Sequence, residues 1–250
     1  MWQEQTKWHS VLVFTSIVLT IFFSGSRSVA ITNGQAISEE STPAITFIEI
    51  IQNQKVGICT GVVVGDGVIL TAEHCAFVEN PSSIRINKTY AVKRIFVDDS
   101  YEHESRLDLA LLEIEKGAIG FHMPIFNGTF PKTSQAITIV GYGMAYTGDD
   151  EFTFDESIVK RVGMNTMNPA EHDRLMFNLE SEFGTNDPSL PAGSLPGDSG
   201  GPMIYDKFIV GIASKSLFGI SSYTNLNSAR AKQFLEAAGR AGWKIEYSNK

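Results

Sequence analysis

The run Pro196-Gly197-Asp198-Ser199-Gly200-Gly201-Pro202 sets a serine among small, flexible residues. Such a serine fits a core or a strand interior poorly. It suits a nucleophile on a tight turn, where the backbone can come close to a substrate carbonyl. A serine hydroxyl is a weak nucleophile at neutral pH, so this chemistry needs a base, and the base needs a group to orient it. His74 is a candidate base: it follows the apolar run Val68 to Ala72 and precedes Cys75, one of only two cysteines. Asp108 is a candidate orienting acid. It lies within Leu107-Asp108-Leu109-Ala110-Leu111-Leu112, where a buried carboxylate is costly unless it is hydrogen-bonded or paired. Taken singly, each has a plainer reading: a surface turn, a polar histidine at a strand end, a solvent-facing strand-edge aspartate.

Residues 1–30 read as a signal peptide. Lys7 and His9 precede an apolar run from Val11 to Phe23, Ser24 to Ser28 is small and polar, and Ser28-Val29-Ala30 offers small residues where a signal peptidase reads. The run is short for a membrane span. The mature chain then begins at Ile31, holds 220 residues and is expected to be secreted or periplasmic. Loss of Lys7, Arg27 and Glu4 leaves 18 basic and 27 acidic residues, a net charge of −9. That charge argues against nucleic acid and against an anionic membrane surface as partners. A leader with an even cysteine count points to an oxidising compartment and one disulfide, between Cys59 and Cys75. Zinc would need histidine to join the cysteines, and no second histidine stands at ligand spacing from His74; no metal or cofactor is expected.

The elements that must position these groups read as strands. Apolar, β-branched runs cover Ala44 to Ile51, Lys55 to Val64, Val68 to Ala72, Ser83 to Asn87, Tyr90 to Val97 and Leu107 to Ile114. Five more cover Gln135 to Val140, Ser157 to Val162, Arg174 to Leu179, Met203 to Ser214 and Ser222 to Asn225. Many short strands with turn signals between them argue a barrel or sandwich rather than alternating α/β units. Gly65-Asp66-Gly67 reads as a tight hairpin. One helix is expected near the C-terminus, with Ala229, Phe234, Leu235 and Ala238 at helical spacing, Asn227 or Ser228 as cap and Gly239 as stop. The polar stretch Gly143 to Phe154 reads as a loop.

Five segments in order carry a resemblance to the chymotrypsin-like (trypsin-fold) serine proteases: Ile31-Thr32-Asn33-Gly34, Leu70 to Cys75, Asp108 to Leu112, Gly141-Tyr142-Gly143 and Gly197 to Pro202. Cys59 and Cys75 stand at the spacing of that family's disulfide beside its histidine. The resemblance implies an all-β fold of two six-stranded antiparallel barrels with the active site in the cleft between them and a C-terminal α-helix. Residues 31–130 would form the first barrel, carrying His74 and Asp108. Residues 131–250 would form the second, carrying Ser199, and the helix. It also implies a Ser199-His74-Asp108 triad, an oxyanion hole from the N–H groups of Gly197 and Ser199, and support of Asp108 by Ser214. Family members free an N-terminal Ile or Val whose ammonium pairs with the Asp before the nucleophile; here these are Ile31 and Asp198, so signal removal alone would complete the enzyme. The implied partners are polypeptide substrates and proteinaceous inhibitors of a monomeric enzyme that does not sit on a membrane after signal removal.

Departures from the family pattern bear on specificity. Gly193 stands at the pocket floor where trypsin-type enzymes carry Asp, so a Lys or Arg preference is not expected. Ser216 would narrow the pocket, and Lys215 would place a positive charge near the substrate's upstream side chains. These predict a small or medium uncharged residue before the scissile bond. Glutamate is the runner-up, held by Ser194 and Ser216. Two other readings use the same residues: a catalytically silent binding protein on this fold, and an esterase.

Overall fold

The computed structural model describes residues 31–97, 107–128, 134–143, 158–167, 172–178, 189–217 and 219–248. The signal peptide expected at residues 1–30 lies outside them, as does the polar loop beyond Gly143. The fold is mostly β, as expected, with two seven-stranded antiparallel sheets and one C-terminal helix.

The first sheet is built on the hairpin of β2 (Ile45–Gln52) and β3 (Lys55–Gly65), in register from Ile45↔Val62 to Gln52↔Lys55. Its two-residue turn, Asn53-Gln54, has φ of 49° and 62° at both positions, which matches the twist of the flanking strands. β4 (Val68–Thr71) returns after the tight turn at Asp66-Gly67. β5 (Ile84–Ile86), β6 (Tyr90–Ala91), β7 (Arg94–Val97) and β8 (Ala110–Glu113) complete the order β6-β5-β2-β3-β4-β8-β7. The second sheet takes β1 (Gln35–Ala36), β9 (Gln135–Gly141), β10 (Arg161–Met167), β11 (Arg174–Asn178), β12 (Pro202–Tyr205), β13 (Phe208–Leu217) and β14 (Ile220–Asn225), in the order β1-β10-β9-β12-β13-β14-β11.

The six strands expected in each half become seven for identifiable reasons. In the first sheet the run Tyr90 to Val97 divides after Val92: the Val92 N–H still bonds the Ile84 carbonyl on β5, whereas the Lys93 N–H goes to the Glu113 carbonyl on β8. In the second, Met203 to Ser214 is a hairpin, turned at Asp206-Lys207 with φ of 47° and 72°, and β1 adds an edge from the N-terminal segment. Two expected strands also start later: β8 begins at Ala110 rather than Leu107, and β10 at Arg161 rather than Ser157.

Each sheet buries its own apolar face. Ile48, Val63, Ile69 and Leu112 fill the first, and Ile139, Phe177, Met203 and Val210 the second. A third cluster joins the two sheets and includes Phe47, Leu70, Leu111, Tyr142 and Ile212. The helix α1 (Ala229–Arg240) closes this cluster with Phe234, Leu235 and Ala238. Burying side chains of the size of Phe234 and Leu235 contributes roughly 1.5–3 kcal/mol each. The Ser228 hydroxyl caps α1 by accepting the Ala231 N–H at 3.1 Å. The helix runs through Gly239, the expected stop, and ends before Gly242, whose φ of 90° turns the chain away.

Candidate active site

His74 sits on a single 3-10 turn, Glu73–Cys75, directly after β4. A disulfide from Cys75 to Cys59 on β3 ties that turn to the sheet, with Cα atoms 6.2 Å apart. The histidine is half exposed while both neighbours are buried. Asp108 has the left-handed φ of 59°, which aspartate tolerates better than most residues. Leu107 and Leu109 are buried on either side and fix this turn, so the carboxylate is directed at His74 instead of continuing a strand.

The carboxylate is closely held. Asp108 Oδ1 accepts the His74 backbone N–H at 3.1 Å, and His74 Nδ1 lies 3.0 and 3.1 Å from Oδ1 and Oδ2. The Ser214 hydroxyl donates to Oδ2 at 2.5 Å. Burial pushes the Asp108 carboxyl up, but the donors on His74 and Ser214 outweigh it and hold the group below its ordinary value. A carboxylate at Nδ1 fixes the proton there and leaves Nε2 as the basic nitrogen.

The loop carrying Ser199 is sewn to the first sheet. The Thr60 N–H donates to the Ser199 carbonyl at 2.8 Å, and the Thr60 hydroxyl donates to the Gly197 carbonyl at 3.0 Å while accepting the Tyr142 N–H at 3.0 Å. The Thr60 carbonyl accepts the Thr71 hydroxyl at 2.8 Å. A Cβ on Gly200 would collide with Thr71 Oγ1 and the Thr60 carbonyl, so only glycine allows this approach. Gly197 has φ of 94°. Among the described residues, no acceptor takes the N–H of Gly197 or of Ser199, and no hydrogen bond joins the Ser199 hydroxyl to His74.

Behind the serine, Asp198 is buried. Its carboxylate accepts N–H bonds from Gly143 at 2.7 Å and Leu195 at 2.8 Å. The Ile31 nitrogen lies 3.3 Å from Oδ2. In the 250-residue chain that nitrogen is a peptide N–H; it stands where the α-amino group of a chain beginning at Ile31 would be. Burial pushes the Asp198 carboxyl up to about 7 against these N–H bonds and the charge of Arg161. A Cβ on Gly143 would come within 2.6 Å of the carboxylate, which is why a glycine stands there. The N-terminal segment reaches this position by pairing β1 with β10 and by a Thr32↔Gly193 bridge. It is also anchored by the buried Lys160 ammonium, 3.0 Å from the Glu39 carboxylate and within 3.1 Å of the Glu39 and Thr42 carbonyls.

A cavity of about 210 Å³ opens beside the serine, lined by Ser194, Leu195, Pro196, Ser199, Ala213, Ser214, Lys215 and Ser216. Of the residues expected to bind substrate, Ser194, Ser214, Lys215 and Ser216 meet here. Gly193 bridges to Thr32 through its backbone and is not among these lining residues. The resemblance to the family offers Ser221 as the other wall of the pocket; sequence reasoning missed Tyr223 and the bonds these two make to Ser194. The Ser221 hydroxyl accepts the Ser194 N–H and is 3.0 Å from the Ser194 hydroxyl, and the buried Tyr223 hydroxyl also bonds Ser194. It missed Thr60 as well. A serine within β14 and a threonine beside a cysteine give no local signal of their hydrogen-bond partners. Cys59, His74 and Cys75 bring three ligand-type atoms within 4.8 Å of one another, but both sulfurs are consumed by the disulfide.

Comparison with known proteins agrees with this geometry. The sequence model of the family described as Trypsin matches residues 31–232. A chymase of Rattus norvegicus is 23% identical over 248 residues, covering 91% of this chain and 94% of the chymase. A trypsin of Phaedon cochleariae is 26% identical over 181 residues, covering 62% of this chain and 67% of that protein. Among solved structures, an inactivated protease paralogue of the scabies mite superposes with a TM-score of 0.63 at 16% identity, covering 83% of this chain and 99% of the paralogue. That likeness speaks to the fold alone.

Proposed function

The chain belongs to the trypsin family, and from that premise we propose that it is a serine endopeptidase, made with a signal peptide and secreted, that cleaves polypeptides through an acyl-enzyme on Ser199. The observation that carries the reading is the chain of contacts from Ser214 through Asp108 to His74 Nδ1, set against a serine loop with two uncommitted N–H groups. Ser199 Oγ attacks the scissile carbonyl while His74 Nε2 takes its proton. The resulting oxyanion is received by the N–H groups of Gly197 and Ser199, where loss of one donor would cost about 2.7–4 kcal/mol. His74 then passes the proton to the leaving amine and the C–N bond breaks. Water, deprotonated by His74, attacks the ester, and Ser199 recovers its proton as the acid product departs. Asp108 holds the imidazole tautomer and stabilises the imidazolium. Ile31, freed by cleavage after Ala30, would pair with Asp198 and brace the loop that presents the oxyanion hole.

Because the same fold also occurs in an inactivated protease paralogue, a catalytically silent binding protein is the second reading. One experiment separates the two. A peptidyl phosphonate should label the mature protein at Ser199, located by peptide mass spectrometry, and labelling should vanish in Ser199→Ala and fall by orders of magnitude in His74→Ala. Folded protein that takes no label would overturn the endopeptidase reading.

A further inference from the structure

We propose that Lys215 makes the protein select substrates with an acidic side chain upstream of the cleaved bond; this deepens the endopeptidase reading and rests on it. β13 outruns β12. Its last partner on that side is the pair Pro202↔Ile212, and Ala213 is then held by Gly200 and Gly201. From Ser214 onward the strand pairs only with β14 among the described residues, through Lys215↔Ser222, Ser216↔Ser221 and Leu217↔Ile220. One edge is therefore open beside the cavity that holds Ser199, and an extended peptide can add to it as a strand. The leaving amine must face His74, which stands on the first sheet, so the acyl portion of the substrate falls to β13.

The pairing also sets which side chain meets what. Directly paired residues share a face of the sheet, and successive residues alternate. Ser216 is paired with Ser221, whose hydroxyl reaches Ser194, so this face belongs to the cavity. Lys215 is paired with Ser222, on the other face, and is exposed at the cavity mouth. The serine hydroxyls thus lie on the inner face of the cavity, while Lys215 brings the one charge among its lining residues to the mouth. A peptide on this edge alternates in the same way. If the residue before the cleaved bond enters the cavity, the second and fourth residues upstream share the face of Lys215. No carboxylate lines the cavity, and no ion pair engages Lys215 among the described residues. On a chain of net charge −8 this leaves a local cation free to meet an acidic side chain.

The test uses matched peptides differing only at the second and fourth upstream positions, carrying Glu, Gln or Lys, against the wild-type protein, Lys215→Ala and Lys215→Glu. The wild type should favour Glu over Gln about fivefold in kcat/KM, the upper range for a solvent-exposed pair, with the ratio shrinking as salt is added. Lys215→Ala should abolish the ratio, and Lys215→Glu should turn the preference towards Lys. Equal kcat/KM for Glu and Gln peptides in the wild type overturns the proposal. If no peptide is cleaved and the phosphonate does not label Ser199, it is the endopeptidase reading that fails. Fluorescence anisotropy of the same peptides then decides on Lys215: tighter binding of Glu than of Gln supports it, and equal binding overturns it.

Discussion

The sharpest consequence of the Asp198 site concerns a single extra residue. Compare the chain beginning at Ile31 with one that keeps Ala30. In the longer chain the atom 3.3 Å from Asp198 Oδ2 is an uncharged peptide nitrogen, and burial pushes the carboxyl from 3.8 up to about 7. A raised carboxyl favours the folded state fully below its unfolded value, and that advantage is lost as pH rises through the folded value. Three units at about 1.4 kcal/mol each make the longer chain lose about 4 kcal/mol between pH 4 and pH 7. In the shorter chain the same nitrogen is an ammonium. It stabilises the carboxylate, and its own pKa rises above the unfolded 7.7–8.0 or so. Its contribution is present below that value and fades as pH climbs through the folded one. The two forms should therefore be close in stability at pH 4, about 4 kcal/mol apart near pH 7, and converge again in alkali. Urea unfolding of both forms from pH 4 to pH 10 reads this directly, with Asp198→Asn as the variant in which the pH-dependent difference disappears. Parallel profiles at every pH would refute the ion pair and the account of activation built on it.

Three other perturbations follow from named contacts. Ser214→Ala removes the donor at 2.5 Å from Asp108; a hydrogen bond to a charged group is worth about 1.5–3 kcal/mol, so kcat/KM should fall roughly 10- to 100-fold. Because the Asp108 carboxyl is held below its ordinary value, its contribution to stability is present above the unfolded value and lost as pH falls through the folded one; the same variant should begin to unfold at a higher pH in an acid titration. Gly143→Ala puts a methyl group within 2.6 Å of the Asp198 carboxylate, and urea unfolding should show a loss of about 1–3 kcal/mol with reduced turnover. Replacing both Cys59 and Cys75 by Ala opens a loop of sequence separation 16, for which the chain-entropy model gives about 3 kcal/mol; the melting temperature should drop by several degrees, and mass spectrometry of the untreated parent should find no free thiol.

The residues that were legible in the sequence are those whose types are improbable where they stand. A serine among glycines, an aspartate between leucines and a histidine against one of two cysteines can be singled out without coordinates. Their order also carried the two-sheet architecture. What stayed hidden depends on long-range geometry. Asp108 was read as part of a strand because its neighbours are apolar, yet those leucines are what hold it in a left-handed turn. The Gln35–Ala36 strand is two polar or small residues long and exists only because β10 offers it an edge. The backbone bridge between Gly193 and Thr32 joins two segments far apart in the chain, and no local pattern marks it. Ser221 and Tyr223 are distant from Ser194 in sequence and carry no local mark of their meeting.

Thr60 gives the active loop an unusual dependence. Its N–H, carbonyl and hydroxyl are all engaged: with Ser199, with Thr71, and with Gly197 and Tyr142. Three of these four partners, Ser199, Gly197 and Tyr142, belong to loops of the other half of the chain. Were the two halves made as separate polypeptides, the first would expose a threonine with its N–H and hydroxyl unanswered. The second would have a serine loop with two carbonyls left without donors. Neither half could then hold its share of the site in a working shape, and a mixture of the two should regain activity only to the extent that they reassociate. A substitution at Thr60 is therefore felt in both halves at once, because each of its polar groups already has a partner.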